Sequence, residues 1–229
     1  MQDVERPFVA MNMAMTADGK ITSARREYPR FTSETDRKTM DRLRAEADAV
    51  LVGAGTIRAD DPHLCVRDPE MRSYRRSLGK PEGILAILVT AGGTVDPAWR
   101  VFHDDGISSR IVVTVDDAPQ ETLAGVAGLA EVWRIGRGRV DLRELLQRLR
   151  RCGVERLLVE GGGEMNWGFV RDDLLDELFV TVAPSLLGGR DAPTLLEGEG
   201  LDMEGRRHLR LVACERVGDE IFLRYARVR

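Results

Sequence analysis

Val159-Glu160-Gly161-Gly162-Gly163-Glu164-Met165-Asn166-Trp167 is the stretch whose reading decides the fold. It follows Arg156-Leu157-Leu158 and runs into Gly168-Phe169-Val170. An apolar run ends in a carboxylate, three glycines follow, and a helix-like stretch begins. Glycine lets a backbone turn sharply and approach a ligand closely, because no Cβ intervenes. A helix that starts after such a turn presents unpaired N–H groups and the positive end of its dipole, which suits a phosphate. The stretch therefore predicts a strand, a glycine-rich turn and a helix holding a phosphorylated cofactor, with Glu160 beside it. Taken alone, a plain tight turn has the same signature.

Outward from this stretch, apolar runs and helical periodicities alternate. Phe8 to Met15 predicts a buried strand, broken at Thr16-Ala17-Asp18-Gly19-Lys20. Met11, Met13 and Met15 read as strand core. Ser33-Glu34-Thr35-Asp36 resembles a capping box, and Met40, Leu43 and Ala47 continue it at helical spacing for about three turns. Ala49-Val50-Leu51-Val52 predicts a short strand stopped by Gly53, and 57–62 a short turn or one helical turn ended by Pro62. Residues 66–83 read as a long basic loop with Arg67, Arg72, Arg75, Arg76 and Lys80. Strands are expected over 84–90, 110–115, 131–135 and 178–183, and helices over 119–128 and 142–149. The segment 184–206 reads as a glycine-rich loop. Two alternating strands, 209–216 and 221–228, meet at Gly218-Asp219, a hairpin signal. Together these predict a mostly parallel α/β sheet with an antiparallel end, in one domain over 1–229.

Composition narrows the function. The chain has 229 residues, 43% hydrophobic and 31% charged, which places it among globular proteins with a proper core. A net charge of −4 argues against bulk attraction to nucleic acid or an anionic membrane. No apolar run approaches bilayer length, and Met1–Pro7 lacks the features of a signal peptide. Cys65, Cys152 and Cys214 are odd in number and far apart, which fits reduced thiols in a cytoplasm. His63, His103 and His208 are equally scattered, so the spacing predicts no metal site.

Polar residues gather just past the predicted strands, where an open α/β sheet places its ligand crevice. Lys20, Thr56, Asp60, Thr90 and Glu160 are the set. Any one of them has a bland reading as a loop residue, and Arg44 and Arg67 have one as solvated side chains. Pointed into one crevice, those two arginines would grip a phosphate. Glu160 is the least bland, since a carboxylate ending a Leu-Leu-Val strand is partly desolvated unless paired. There is no Gly-x-Ser-x-Gly elbow and no zinc-deaminase signature. A Rossmann fingerprint is missing as well, so a nicotinamide site has to be built differently.

Ala17-Asp18-Gly19-Lys20-Ile21, residues 43–49, residues 52–64 and Val159-Glu160-Gly161-Gly162 resemble the pyrimidine reductases of riboflavin biosynthesis. The resemblance covers nearly the whole chain. It implies a dihydrofolate-reductase-like fold with helices on both faces of the sheet, and NADPH-dependent reduction of a ribosylaminopyrimidine 5′-phosphate to the ribitylamino compound. It also implies a cytoplasmic homodimer. By position it places Lys20 as the active-site lysine, with Asp60 and Glu160 beside it in the catalytic set. NADPH falls to Thr56, Asp60, Gly161, Gly162, Gly163, Glu164 and Met165, within a stretch reaching Gly168, and substrate to Arg44, Leu64, Arg67 and Glu160. Arg58 is the candidate for the 2′-phosphate, and the Glu164 side chain is expected to point away from the pyrophosphate. The chain departs from the family over 25–32, where Tyr28 and Arg30 stand in place of a frequent serine and tryptophan. A paralogous NADPH reductase of another pterin-like or carbonyl substrate, and a nucleotide-binding module without catalysis, remain as alternatives.

Overall fold

The computed structural model describes residues 5–27 and 31–228, so Tyr28 and Arg30 lie outside the described residues. The chain parts into two compact units, neither of them a continuous stretch. The first holds residues 5–8 and 41–158; the second holds 9–27, 31–40 and 159–228.

In the first unit the strands run in the order β5 (Glu131–Arg134), β4 (Ile107–Thr114), β3 (Ile84–Val89), β2 (Ala49–Gly53) and β6 (Arg156–Val159). The β2–β3, β3–β4 and β4–β5 pairs are all parallel. Parallel strands need crossovers and are covered on both faces, hence apolar runs in place of strict alternation. Val50, Leu51, Val52, Ile87, Val113, Leu157 and Leu158 are each fully buried. Helix α4 (Leu142–Arg151) buries Leu142, Leu145, Leu146 and Leu149, one face of a 3.6-residue repeat. Asp141 starts it by accepting the N–H groups of Arg143 and Glu144.

The second unit carries β1 (Phe8–Thr16), β7 (Glu177–Ala183), β9 (Glu220–Arg227) and β8 (Leu209–Val217), in that order. β1 lies parallel to β7, from Ala10 opposite Glu177 to Thr16 opposite Ala183. β9 is antiparallel to both β7 and β8, and Gly218-Asp219 closes the hairpin with Gly218 at φ +62°. The nine strands thus match the predicted mixture of parallel pairs and a terminal antiparallel hairpin. Helix α1 (Glu34–Glu46) begins where expected, with Ser33 Oγ accepting the N–H of Asp36 at 3.3 Å.

One expectation is corrected and one is narrowed. Residues 66–83 are not a loop: α3 (Pro69–Ser77) occupies their centre. Asp68 accepts from the N–H groups of Glu70 and Met71, and Pro69 sits at the first helical position, where its missing N–H costs nothing. Arg75 of this helix is buried. It donates to the carbonyls of Arg44, Ala45, Ala47, Pro81 and Gly83, closing the end of α1 that would otherwise lack partners. Of the two readings of 57–62 the helical one holds: these residues finish a helix, α2 (Ala54–Asp60), which begins directly after β2. Asp61 ends it in the left-handed region at φ +43°, a conformation that Asp tolerates.

Candidate active site

In the second unit the opening stretch folds as the strand, turn and helix read from it. β6 ends at Val159. Gly161 at φ +113° and Gly162 at φ +74° make the turn, and α5 (Gly163–Arg171) starts at once. An L side chain would strain both turn positions. The N-cap residue, Gly162, has no side chain with which to cap α5, and the first-turn N–H groups of a helix have no partner within the helix itself. That open helix start, behind a turn only glycine makes readily, fits the pyrophosphate of a dinucleotide. Glu164 is exposed, whereas Asn166 is fully buried, with its Nδ2 donating to the Leu195 carbonyl at 2.9 Å.

The segment 189–197, read from sequence only as part of a glycine-rich loop, ties this turn to Lys20. Lys20 Nζ donates to the Ala192 carbonyl at 3.0 Å, Ile21 N to the Pro193 carbonyl, and Lys20 forms a bridge with Thr194. From the other side, Glu197 N donates to the Gly163 carbonyl at 3.1 Å. Gly163 is needed here for space: a Cβ would lie 2.8 Å from the Thr194 carbonyl oxygen and would overlap the Glu197 side chain. The Lys20 turn is itself fastened by Asp18, which accepts from Thr16 Oγ1 at 2.6 Å and from the N–H groups of Leu187 and Gly188. The Thr16 hydroxyl, then the Gly188 N–H, hold the Asp18 carboxyl down at about 2.

Glu160 lies within electrostatic reach of Asp36, a residue that the sequence marked only as part of a helix cap. Burial pushes the Asp36 carboxyl above its ordinary value, against hydrogen bonds from Thr181 and Thr32; the charges of Glu220 and Glu160 push the same way. Glu220 is buried and accepts both the N–H and the hydroxyl of Ser33, at 2.7 and 2.5 Å. A signal for Asp36 existed only in three dimensions, since Glu160 and Glu220 are remote from it in sequence.

The first unit groups the other residues. Thr56 and Asp60 lie half-buried on α2, just past the end of β2. Arg58 is exposed, and its Nη2 lies 3.2 Å from where a Cβ on Gly93 would be, so it stands over the Thr90–Gly93 turn that ends β3. Arg44 is not the solvated side chain of the bland reading: it is 1% exposed, with Nη1 donating to the Cys65 carbonyl at 3.0 Å. Asp41 accepts the N–H groups of Arg67 and Asp68 at 3.3 and 3.0 Å. Leu64 is fully buried beneath the same loop, while Arg67 is exposed on it. Arg44, Leu64 and Arg67 therefore belong to one local structure. The histidines are not all isolated from other ligand-type side chains: His63 and Cys65 meet Asp104, with all three ligand-type atoms within 4.8 Å of one another. Sequence spacing hid this cluster because Asp104 lies 39 residues beyond Cys65.

Residues 7–223 match the model of the RibD C-terminal domain. A 2,5-diamino-6-ribosylamino-4(3H)-pyrimidinone 5′-phosphate reductase of Archaeoglobus fulgidus is 39% identical over 215 residues, covering 93% of this chain and 95% of that protein. The enzyme of the same name from Methanothermobacter thermautotrophicus is 36% identical, covering 96% and 98%. Among solved structures, a pyrimidine reductase-like protein of Corynebacterium diphtheriae superposes with a TM-score of 0.84 at 20% identity, over 97% of this chain and 92% of that one. RibD of Acinetobacter baumannii gives 0.77 at 23%, over 98% and 59%. At such identities these two speak for the fold alone. The family model and the two archaeal relatives carry the assignment: the chain belongs to the RibD C-terminal domain family.

Proposed function

We propose that this protein is an NADPH-dependent reductase of 2,5-diamino-6-ribosylamino-4(3H)-pyrimidinone 5′-phosphate, acting in riboflavin biosynthesis. The observation that carries the reading is the Glu160–Gly163 turn: two left-handed glycines, an uncapped helix start and a carboxylate on its strand side. The choice of the 2,5-diamino substrate is supported by the names of the relatives at 36–39% identity.

NADPH, when bound, supplies the hydride. The start of α5, with Gly161, Gly162, Gly163 and Met165, holds its pyrophosphate, and exposed Glu164 points clear of it. The family resemblance assigns Thr56 and Asp60, on α2, to the cofactor as well, and Arg58 is the candidate for its 2′-phosphate. Lys20 contacts the ribose and favours its open iminium form, and the family resemblance gives Asp60 the same role. Reduction puts hydride on C1′ and a proton, drawn from solvent, on the molecule. Glu160 orients the pyrimidine. Arg67 meets the 5′-phosphate directly. Arg44 charges the floor of that subsite and, with buried Leu64, sets the loop through the Cys65 carbonyl. Most of the acceleration then comes from holding two ligands face to face, worth roughly 7–11 kcal/mol in favourable cases.

A cytoplasmic homodimer is part of the proposal. β8 ends the strand order of its unit and is exposed along almost its whole length, with Leu211 at 51% and Val212 at 42%. An edge of that kind is a ready template for a second chain. No described helix is long and apolar enough to cross a membrane.

The test is consumption of NADPH by the purified protein with the 2,5-diamino substrate or with its deaminated counterpart. Turnover with the first at the higher kcat/KM is expected. Turnover only with the second overturns the substrate choice, and cofactor binding without turnover on either overturns the reductase reading.

A further inference from the structure

The side chains of His63, Cys65 and Asp104 serve no part of the reductase proposal. His63 Nδ1 lies 2.9 Å from Asp104 Oδ2, and Cys65 Sγ lies 3.2 Å from the same oxygen. The donors are one imidazole nitrogen, one sulfur and one carboxylate oxygen, a mixed set that suits a borderline-soft divalent ion and not the all-oxygen shells of magnesium or calcium. Around a tetrahedral zinc such atoms stand roughly 3.3–3.5 Å apart, from bonds of about 2.0–2.3 Å. Closing on an ion thus needs movements on the order of 1 Å or less from the present spacing.

The surroundings suit the same occupant. Cys65 is 3% exposed and the Asp104 side chain 9%, while the His63 side chain is 34% exposed. Two ligands are therefore buried and the third opens to solvent, which gives a path of entry and a place for a water as fourth ligand. Asp104 is aimed: its Oδ1 accepts the Gly106 N–H at 3.0 Å, leaving Oδ2 turned towards His63 and Cys65. The turn that carries Asp104 is held by Arg110, which donates to the carbonyls of Val101 and Asp104, both at 2.7 Å. The Cys65 backbone is held by Arg44. Gly106 lets the turn come so close, since a Cβ there would lie 2.5 Å from the Cys65 Cβ and 2.9 Å from its sulfur. A dication against a thiolate and a carboxylate is neutral overall, which limits the cost of burying it.

We infer that His63, Cys65 and Asp104 form a binding site for one zinc-class divalent cation, joining the 63–65 loop to the turn at 104–106. On binding, the thiol proton and the imidazole Nδ1 proton pass to solvent, and the sulfur becomes a ligand in place of a hydrogen-bond donor. Without an ion the thiol is pushed up to about 11, by burial and then by its hydrogen bond to Asp104.

The test uses full-length C152S/C214S protein, in which Cys65 is the only remaining thiol. Cobalt(II) is titrated as a spectroscopic stand-in for zinc. Expected is a thiolate-to-cobalt charge-transfer band that saturates at one cobalt per chain in the micromolar range and is displaced by zinc. C65S must abolish it. H63Q, altering a side chain partly open to solvent, must weaken cobalt affinity at least about tenfold with unchanged circular dichroism. The inference is overturned by absence of the band, by a band that survives C65S, by affinity unchanged in H63Q, or by saturation only at millimolar cobalt. The three groups are then a hydrogen-bonded cluster and no more. NADPH turnover does not enter these readouts, so failure here and failure of the reductase reading are separable.

Discussion

Gly163→Ala is the sharpest perturbation of the proposed cofactor turn. The added methyl lands on the Glu197 side chain and 2.8 Å from the Thr194 carbonyl oxygen, the second of which is main chain. Glu197 has little freedom to withdraw: its carboxylate accepts from Thr194 N at 2.8 Å and its N–H binds the Gly163 carbonyl. Overpacking of this kind costs about 1–3 kcal/mol. For a chain of this size that lowers Tm by about 2–12 °C. The first turn of α5 must also shift, and losing one N–H bond to a charged phosphate is worth about 1.5–3 kcal/mol, so NADPH binding should weaken roughly tenfold to hundredfold. Differential scanning fluorimetry and a fluorescence titration of NADPH read the two effects. Gly55→Ala is the control: it lies in α2 with open space around its Cβ position, and should stabilise by about 0.5–1 kcal/mol. A stable G163A refutes the packing argument. A destabilised G163A with unchanged NADPH affinity refutes the placement of the cofactor at this turn.

Three further outcomes are expected. Lys20→Ala should cut kcat by at least about a hundredfold while leaving NADPH affinity within a few-fold, because the proposed lysine acts on the sugar; near-normal turnover removes its role. Arg75→Lys replaces a fork that serves five carbonyls by a single ammonium, and should cost about 3 kcal/mol in urea unfolding; a loss under about 1 kcal/mol shows that α1 ends without it. Asp36 has its carboxyl raised by burial, so the folded protein holds that proton at pH values where the unfolded chain has lost it. Its contribution to stability is therefore fullest below about 4 and declines as pH rises through the folded value. D36N should flatten that decline in urea midpoints measured between about pH 4 and 7, and an unaltered profile contradicts it.

Local signals in the sequence were legible where one chemistry had one meaning. Leu-Leu-Val, a carboxylate and three glycines can hardly be other than a strand running into a tight turn, and Gly218-Asp219 between alternating strands is equally plain. The helix at Pro69–Ser77 was missed because arginine density outweighed the Asp68-Pro69 start signal, and because its one deeply buried side chain, Arg75, is charged. No composition break marks the two units, since α1 and β6 each run across the division and leave no linker to read. The site was legible as separate polar residues past strand ends. What it lacked were contacts made by distant chain: segment 189–197 joining Lys20 to Gly163, Asp36 beside Glu160, and Asp104 brought to Cys65. Arg44 shows the same limit from the other side, for helical spacing does not say that a guanidinium will be buried under a loop folded over it.

The most direct measurement of the proposed chemistry follows the hydrogen itself. NADPH carrying deuterium at the transferred position is mixed with the protein and the 2,5-diamino-ribosylamino substrate, and the product is examined by mass spectrometry and NMR. Expected is a ribitylamino product with one deuterium at C1′ for each NADPH consumed. Cofactor consumed with no deuterium at C1′, or no ribitylamino product while NADPH binds normally, contradicts it.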